Sequence, residues 1–168
     1  MIVVPEVEPL VSPFRLKHDP SAALGVPAHI TINYPFIPAV QPGVDLHREL
    51  SGLFAETDAF PFRLDRLARF PDVLYLPPIP DAPFKRLIQK VASCFPESPP
   101  YGGAFENVIP HLPIAQTRDQ ALLASIERQL SQRSSEYLSI SARAERIWLM
   151  DNRSGRWQKR ASFPLRSK

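Results

Sequence analysis

The sequence predicts an α+β chain folded as two duplicated lobes, with two antiparallel sheets around a central cleft and helices on the outside. Three observations predict it. Of the 20 prolines, set against 6 glycines, half fall in short clusters at Pro35 to Pro42, Pro77 to Pro83 and Pro96 to Pro100; average usage is nearer ~5% and ~7%. Between those clusters lie short segments with either a strand-like or a helical period. A histidine-bearing strand, a helix and further strands then occur once in each half of the chain.

Taken in order, Met1 to Val4 is a short apolar run, and Val26 to Tyr34 alternates around Ile30 and Ile32, so both are predicted strands. Asp45 to Thr57 places Leu46, Leu50, Leu53 and Phe54 three and four residues apart, the spacing of an amphipathic helix, with Asp45 as an acid in its first turn. Phe60 to Phe70 alternates at Phe60, Phe62 and Leu64, and Val73 to Leu76 follows Pro71-Asp72, which predicts an antiparallel pair. Pro83 to Phe95 is the second helix, opened by Pro83 and carrying Phe84, Leu87, Ile88, Val91 and Phe95 on one face. Pro96 to Asn107 is rich in turns and leads into a strand around His111. Arg118 to Arg133 sets Leu122, Leu123, Ile126 and Leu130 at helical spacing. Tyr137 to Met150 reads as a strand, and Asp151 to Gly155 turns it into Arg156 to Leu165.

The two halves match in order rather than in identity. From His29 to Leu76 is 47 residues and from His111 to Met150 is 39; the longer loop before the first helix accounts for the difference, since Asp45 lies 16 residues past its histidine and Asp119 only 8. Two lobes so related would set the histidines opposite one another across a cleft. At 168 residues the chain is read as one domain, residues 1–168, with both lobes sharing that cleft.

Composition excludes several classes. With 44% hydrophobic residues the chain is too apolar for intrinsic disorder. It has no apolar run long enough to span a membrane, and Met1-Ile2-Val3-Val4-Pro5 lacks the leader of a signal peptide, so a cytoplasmic protein with no membrane partner is expected, as a monomer. Cys94 is the single cysteine, which excludes an internal disulfide; its neighbours Leu87, Ala92 and Phe95 predict a buried thiol. The formal charge of +3 biases the chain mildly toward anionic ligands. The densest basic cluster, Arg153, Arg156, Lys159, Arg160, Arg166 and Lys168, is a candidate polyanion surface.

The residues that carry chemistry are the two strand histidines. Side chains alternate along a strand, so His29 shares a face with Thr31, and His111 with Pro113. Two imidazoles facing one another across a cleft can supply one general base and one general acid. Which is which depends on how the substrate lies. No metal is required, and none is expected: a zinc site would need another convergent ligand, and the chain has no His-x-x-x-His or histidine-rich tract. Ser-His-Asp chemistry lacks its Gly-x-Ser-x-Gly turn. His18 and His47 stand outside the repeated context and are assigned no catalytic role.

His29-Ile30-Thr31-Ile32 followed by Tyr34-Pro35-Phe36, with His18-Asp19-Pro20 and Gly25-Val26-Pro27 before it, resembles the first motif of the two-histidine (2H) phosphoesterase superfamily. Pro100-Tyr101-Gly102-Gly103-Ala104-Phe105 and Val108-Ile109-Pro110-His111 resemble the approach to the second motif, and Trp148-Leu149 with Gly155-Arg156-Trp157 resembles the closing hairpin. The resemblance spans nearly the whole chain. It points to the branch of 2'-5' RNA ligase-like proteins and cyclic phosphodiesterases and implies a cofactor-free phosphoesterase. Its substrates would be 2',3'-cyclic phosphate ends of RNA or cyclic nucleotides, or a related 2'-5' linkage. Ligation of RNA ends is the same chemistry reversed.

One position departs from the motif. Where the family carries threonine or serine, the second motif has Pro113, which lacks both a side-chain donor and a backbone N–H. Thr31 keeps its half of the phosphate clamp. A hydrogen bond to a charged group is worth about 1.5–3 kcal/mol, so the loss predicts weaker turnover, or a member that binds without turnover. Proline in a strand also predicts an edge or a bulge. Tyr101 and Phe105, flanking Gly102-Gly103, are candidates to stack on a base. Arg15 and Lys17 are candidates to approach the phosphate.

Overall fold

The computed structural model describes residues 1–36, 44–137 and 139–167, and some of its strands pair across the two halves of the sequence while others pair within one half. The elements are β1 (Ile2–Val3), α1 (Glu8–His18), α2 (Pro20–Ala23), β2 (His29–Ile30), α3 (Val44–Ala55), β3 (Phe60–Leu64), β4 (Ala68–Arg69) and β5 (Val73–Leu76). Then come α4 (Ala82–Cys94), β6 (Leu112–Gln116), α5 (Gln120–Tyr137), β7 (Ile140–Ala144), β8 (Arg146–Asp151) and β9 (Gln158–Pro164). Residues 38–42 of the first proline cluster and Lys168 of the basic cluster lie outside the described residues.

All strand pairs between these elements are antiparallel, as the α+β reading requires: β1 with β2, β3 with β7, β5 with β4 and with β6, and β8 with β9. Trp148 N donates to Met1 O at 2.8 Å and joins β8 to the edge of β1, while β2 lies beside β6. The two histidine strands are therefore neighbours. β3 and β7, each the strand that follows its half's helix, pair with Phe62 opposite Ala142 at the centre. Antiparallel pairing of two equivalent strands is what a local two-fold relation between the halves produces.

The predicted pairing of Phe60–Phe70 with Val73–Leu76 is corrected by this arrangement. Only Ala68–Arg69 pairs with β5; Phe60–Leu64 leaves for β7. Its inward residues Phe62 and Leu64 are buried, and Phe60 and Phe62 each meet Phe84 of α4 edge-on with ring centroids 5.0 Å apart. Residues 137 to 150, predicted as one strand, are the end of α5 and two strands broken at Glu145, whose carbonyl accepts from Leu165 N at 2.7 Å. The break lets β7 join β3 while β8 joins β9.

One continuous core lies behind these sheets, from Ile2, Val4, Val7 and Val11 through Leu74, Leu76, Phe84 and Leu87 to Leu112, Ile114, Leu123 and Phe163. Cys94 stands outside it. As the last residue of α4 it is exposed beyond the packed face, and Phe95 turns inward in its place, which corrects the expectation of a buried thiol.

α1 and α2 have no counterpart among the predicted elements, because Pro9, Pro13 and Pro20 interrupt the helical pattern there. α1 buries Val11, Phe14 and Arg15. The Arg15 side chain is 2% exposed and donates from Nε and Nη2 to Asp19 Oδ2 at 3.0 and 2.8 Å, and from Nη2 to Val26 O at 3.3 Å. Asp19 Oδ1 accepts from the N–H and hydroxyl of Ser21 at 2.9 and 2.8 Å, capping α2. The network ties the end of α1 to the loop that enters β2. Arg15→Ala would strand the buried Asp19 carboxylate and is expected to cost about 3–5 kcal/mol in urea unfolding. A loss below about 1 kcal/mol, the value of a solvated pair, would show that this network does not hold the loop.

Candidate active site

The backbone just before His29 is held on both sides. Ala28 N donates to Glu8 Oε1 at 2.5 Å and Ala28 O accepts from Val4 N at 2.9 Å, so His29 emerges from a peptide pinned on both sides. Its Nδ1 lies 2.8 Å from Pro27 O. His111 repeats the arrangement at the mouth of β6, with Nδ1 2.8 Å from Ile109 O. A carbonyl oxygen only accepts, so in both rings Nδ1 carries the hydrogen and the lone pair of the neutral ring sits on Nε2. The halves thus share a local geometry that their sequences do not.

Both imidazoles line one cleft of about 1010 Å³, together with Thr31, Pro113, Tyr101 and Phe105. Arg15 does not line it. The guanidinium expected to approach the phosphate is committed instead to Asp19 and the Val26 carbonyl beneath the cleft, a correction that follows from its burial. His18 ends α1 beside a smaller pocket, and His47 is exposed on α3 with its ring 5.1 Å from that of Phe163, so neither reaches the cleft.

Burial sets the electrostatics. His29 is 5% exposed, and desolvation pushes its pKa down to about 4; the Arg15 guanidinium adds to the depression, while the bond to Pro27 O opposes it. His111 is half-buried and is lowered by the same desolvation, opposed by the bond to Ile109 O. Among the described residues that line the cleft there is no lysine or arginine; its carboxylates are Asp19, Asp72 and Asp151. Asp151 is held near a pKa of about 2, first by Arg160 and then by Arg153. No group of three or more His, Cys, Asp or Glu among the described residues converges into a metal site.

Pro113 sits where a proline is tolerated. β6 is the edge of its sheet, and its register with β5 shifts between Leu74 and Tyr75, placing Tyr75 opposite Pro113 and Leu74 opposite Ala115. Ile114 is thus the extra residue of a bulge. Tyr101 has φ 53°, its N–H donates to Tyr34 O at 2.6 Å, and burial raises the pKa of its phenol. Its ring meets that of Phe105 edge-on at 5.6 Å, and Phe105 is 61% exposed at the cleft. Asn33 Nδ2 donates to Ser98 O at 2.8 Å, a second tie between the strand after His29 and the loop that carries Tyr101.

Several residues of the site were missed by sequence reasoning. Phe70 and Tyr75 stack at 4.3 Å and meet the His111 ring edge-on at 5.1 and 5.4 Å, framing it. Only the β5–β6 register brings Tyr75 there, and no local pattern announces it. Trp148 and Trp157 form part of the cleft wall, with Trp157 6.0 Å from Tyr34. Their signal was available as two tryptophans on one predicted hairpin.

Two similarly anchored histidines thus line one cleft of a mixed α and β fold, and comparison with known proteins gives its family. The model of the 2'-5' RNA ligase superfamily matches residues 3–156, so the chain belongs to that superfamily of 2H phosphoesterases. Two proteins of Geobacillus sp. (strain WCH70) and Geobacillus kaustophilus (strain HTA426), each named "Putative phosphoesterase", are 24% identical over 155 residues, covering 90% of this chain and 85% of theirs. Among solved structures, a phosphoesterase superposes with a TM-score of 0.57 at 16% identity, covering 98% of this chain and 95% of its own. E. coli LigT complexed with NADP+ superposes at 0.55 with 17% identity, over 98% and 93% of the two chains.

A base kept neutral by burial costs stability in acid. The unfolded chain protonates His29 near pH 6.5 and the folded chain only near pH 4, so the contribution is complete above 6.5 and is lost as pH falls toward 4. The loss is expected to reach about 3 kcal/mol. It is checked by urea unfolding from pH 7 to 4, where His29→Asn should flatten the fall; equal slopes in both proteins would refute the assignment.

Proposed function

We propose that the protein is a metal-independent phosphoesterase that opens 2',3'-cyclic phosphates at RNA or nucleotide ends by paired-histidine acid–base catalysis. The observation that carries this reading is the pair of matched imidazoles, each anchored through Nδ1 to the carbonyl two residues upstream and each lining the same cleft. Membership of the 2'-5' RNA ligase superfamily supports the reaction class.

In this mechanism the stronger depression of His29 makes it the base. Its neutral Nε2 takes a proton from water as the water oxygen bonds to phosphorus. The bond from phosphorus to one ribose oxygen breaks, and His111 as imidazolium protonates that oxygen, leaving a phosphomonoester. Thr31 donates its hydroxyl to a phosphate oxygen, and Tyr101 and Phe105 stack on the base. With a ribose 5'-hydroxyl in place of water, the same groups open the ring by forming the P–O5' bond as the P–O3' bond breaks and the 3'-oxygen is protonated, which leaves a 2'-5' linkage. Binding without turnover is the second reading, favoured by Pro113, which offers the phosphate no donor.

Turnover of 2',3'-cyclic nucleotides and cyclic-ended oligonucleotides is expected to survive chelator, and His29→Ala and His111→Ala are each expected to lower kcat by about 10²-fold or more. Because both histidines titrate below their ordinary value, kcat/KM should peak between about pH 4 and 6.5. A profile flat from pH 5 to 8, or binding with no product, would overturn the catalytic reading. Pro113→Thr should raise kcat by about tenfold to a hundredfold by restoring the clamp; an unchanged rate would show that another group fills the gap.

A further inference from the structure

The cleft must hold a phosphate, yet no lysine or arginine lines it among the described residues. The positive charge lies beside it. From Arg146 to Arg160 the β8–β9 hairpin carries five cations, Arg146, Arg153, Arg156, Lys159 and Arg160, against the single carboxylate of Asp151. Four of the five touch or adjoin a residue of the cleft wall. Arg153 and Arg160 both bind Asp151, with contacts at 2.9 and 2.5 Å, which leaves that trio with a net positive charge. The Lys159 ammonium lies 4.5 Å from the centre of the Trp148 ring. The Arg156 guanidinium lies beside Gly25, with Nη2 3.6 Å from the position a β-carbon there would take; Leu24 and Val26 on either side line the cleft. Trp157 N, bonded to Leu24 O at 2.9 Å, fastens the hairpin to that lip.

Arg156 and Lys159 are the informative pair. Both are exposed, and among the described residues neither has a carboxylate within ion-pair distance. Other cations among the described residues, such as Lys17, Arg66, Arg86, Arg118 and Arg128, also lack an acid at ion-pair distance, so what sets Arg156 and Lys159 apart is their place beside the cleft wall. Trp148 and Trp157 stand among the cations, so the hairpin offers aromatic faces and positive charge in alternation. That is the pattern that binds single-stranded nucleic acid, with stacking for the bases and cations for the phosphates. A free phosphate or a cyclic mononucleotide, already enclosed by the cleft, has nothing to place there.

Resting on the phosphoesterase reading for what occupies the cleft, we propose that the β8–β9 hairpin carries the phosphodiester backbone of a single-stranded polynucleotide whose end enters the cleft, with Arg156 and Lys159 as its main phosphate contacts. The preferred substrate is then an oligonucleotide end rather than a free cyclic nucleotide.

The test separates binding from turnover. Fluorescence anisotropy of the full-length protein with an eight-nucleotide single-stranded RNA ending in a 3'-phosphate gives the binding constant as salt is varied. For each cation removed, Arg156→Gln or Lys159→Gln, the slope of log K against log salt is expected to fall by about 0.7. In turnover, the double variant should lose at least about tenfold in kcat/KM on a cyclic-ended oligonucleotide while changing less than about twofold on the matched cyclic mononucleotide, as removal of a remote phosphate contact requires. Unchanged salt slopes, or equal losses on both substrates, would overturn the proposal. Binding of the parent to anionic lipid vesicles that the double variant abolishes, with RNA binding unaffected, would overturn it in favour of a membrane surface. If the parent turns over neither substrate but the salt slopes fall as expected, the phosphoesterase reading fails and the hairpin assignment stands.

Discussion

The site depends on a hydrogen bond made twice: an imidazole Nδ1 donating to the carbonyl two residues upstream, at 2.8 Å in each case. It fixes the tautomer, orients the ring and leaves the lone pair of the neutral ring on Nε2 in both halves of the molecule. Different groups hold the two sides in place. On the first side Glu8 and Val4 grip Ala28, and the buried Arg15–Asp19 pair holds the loop before it. On the second, Phe70 and Tyr75 frame the ring of His111.

Strand pairing across the halves brings the two anchors together. β3 leaves the strands that follow it in sequence to pair with β7, and β8 docks on β1 rather than continuing from β7. Each lobe is therefore assembled from both ends of the chain, and the histidine strands become neighbours. Pro113 fits this frame without disturbing it, because β6 is an edge strand that already departs from regular register at that point. The substitution removes a donor from the cleft while the strand that carries His111 stays intact.

The cleft is built mainly from apolar and aromatic walls, and this has two electrostatic consequences. Desolvation keeps both imidazoles below their ordinary pKa, more strongly at the deeper His29. Two of the three carboxylates that line the cleft are partly neutralised, Asp19 by Arg15 and Asp151 by two arginines. Positive charge is displaced to the hairpin beside the cleft, where aromatic rings alternate with it.

The sequence by itself determined which residues are candidates for the chemistry and what kind of element most segments form. Alternation around Ile30, the helical spacing of Leu46 to Phe54 and of Phe84 to Phe95, and the repeated order around His29 and His111 are properties of near neighbours, and the structure keeps them. Pro113 was legible for the same reason, since proline's constraint acts within its own strand. α1 escaped notice because its prolines blur a period that burial of Val11, Phe14 and Arg15 nonetheless enforces. Only the tertiary structure decided the partner of β3, the exposure of Cys94, the burial of Arg15, the framing of His111 by Phe70 and Tyr75, and the tautomer of each ring. Those outcomes rest on pairing and desolvation between groups far apart along the chain, and a local pattern holds no record of what will lie across from it.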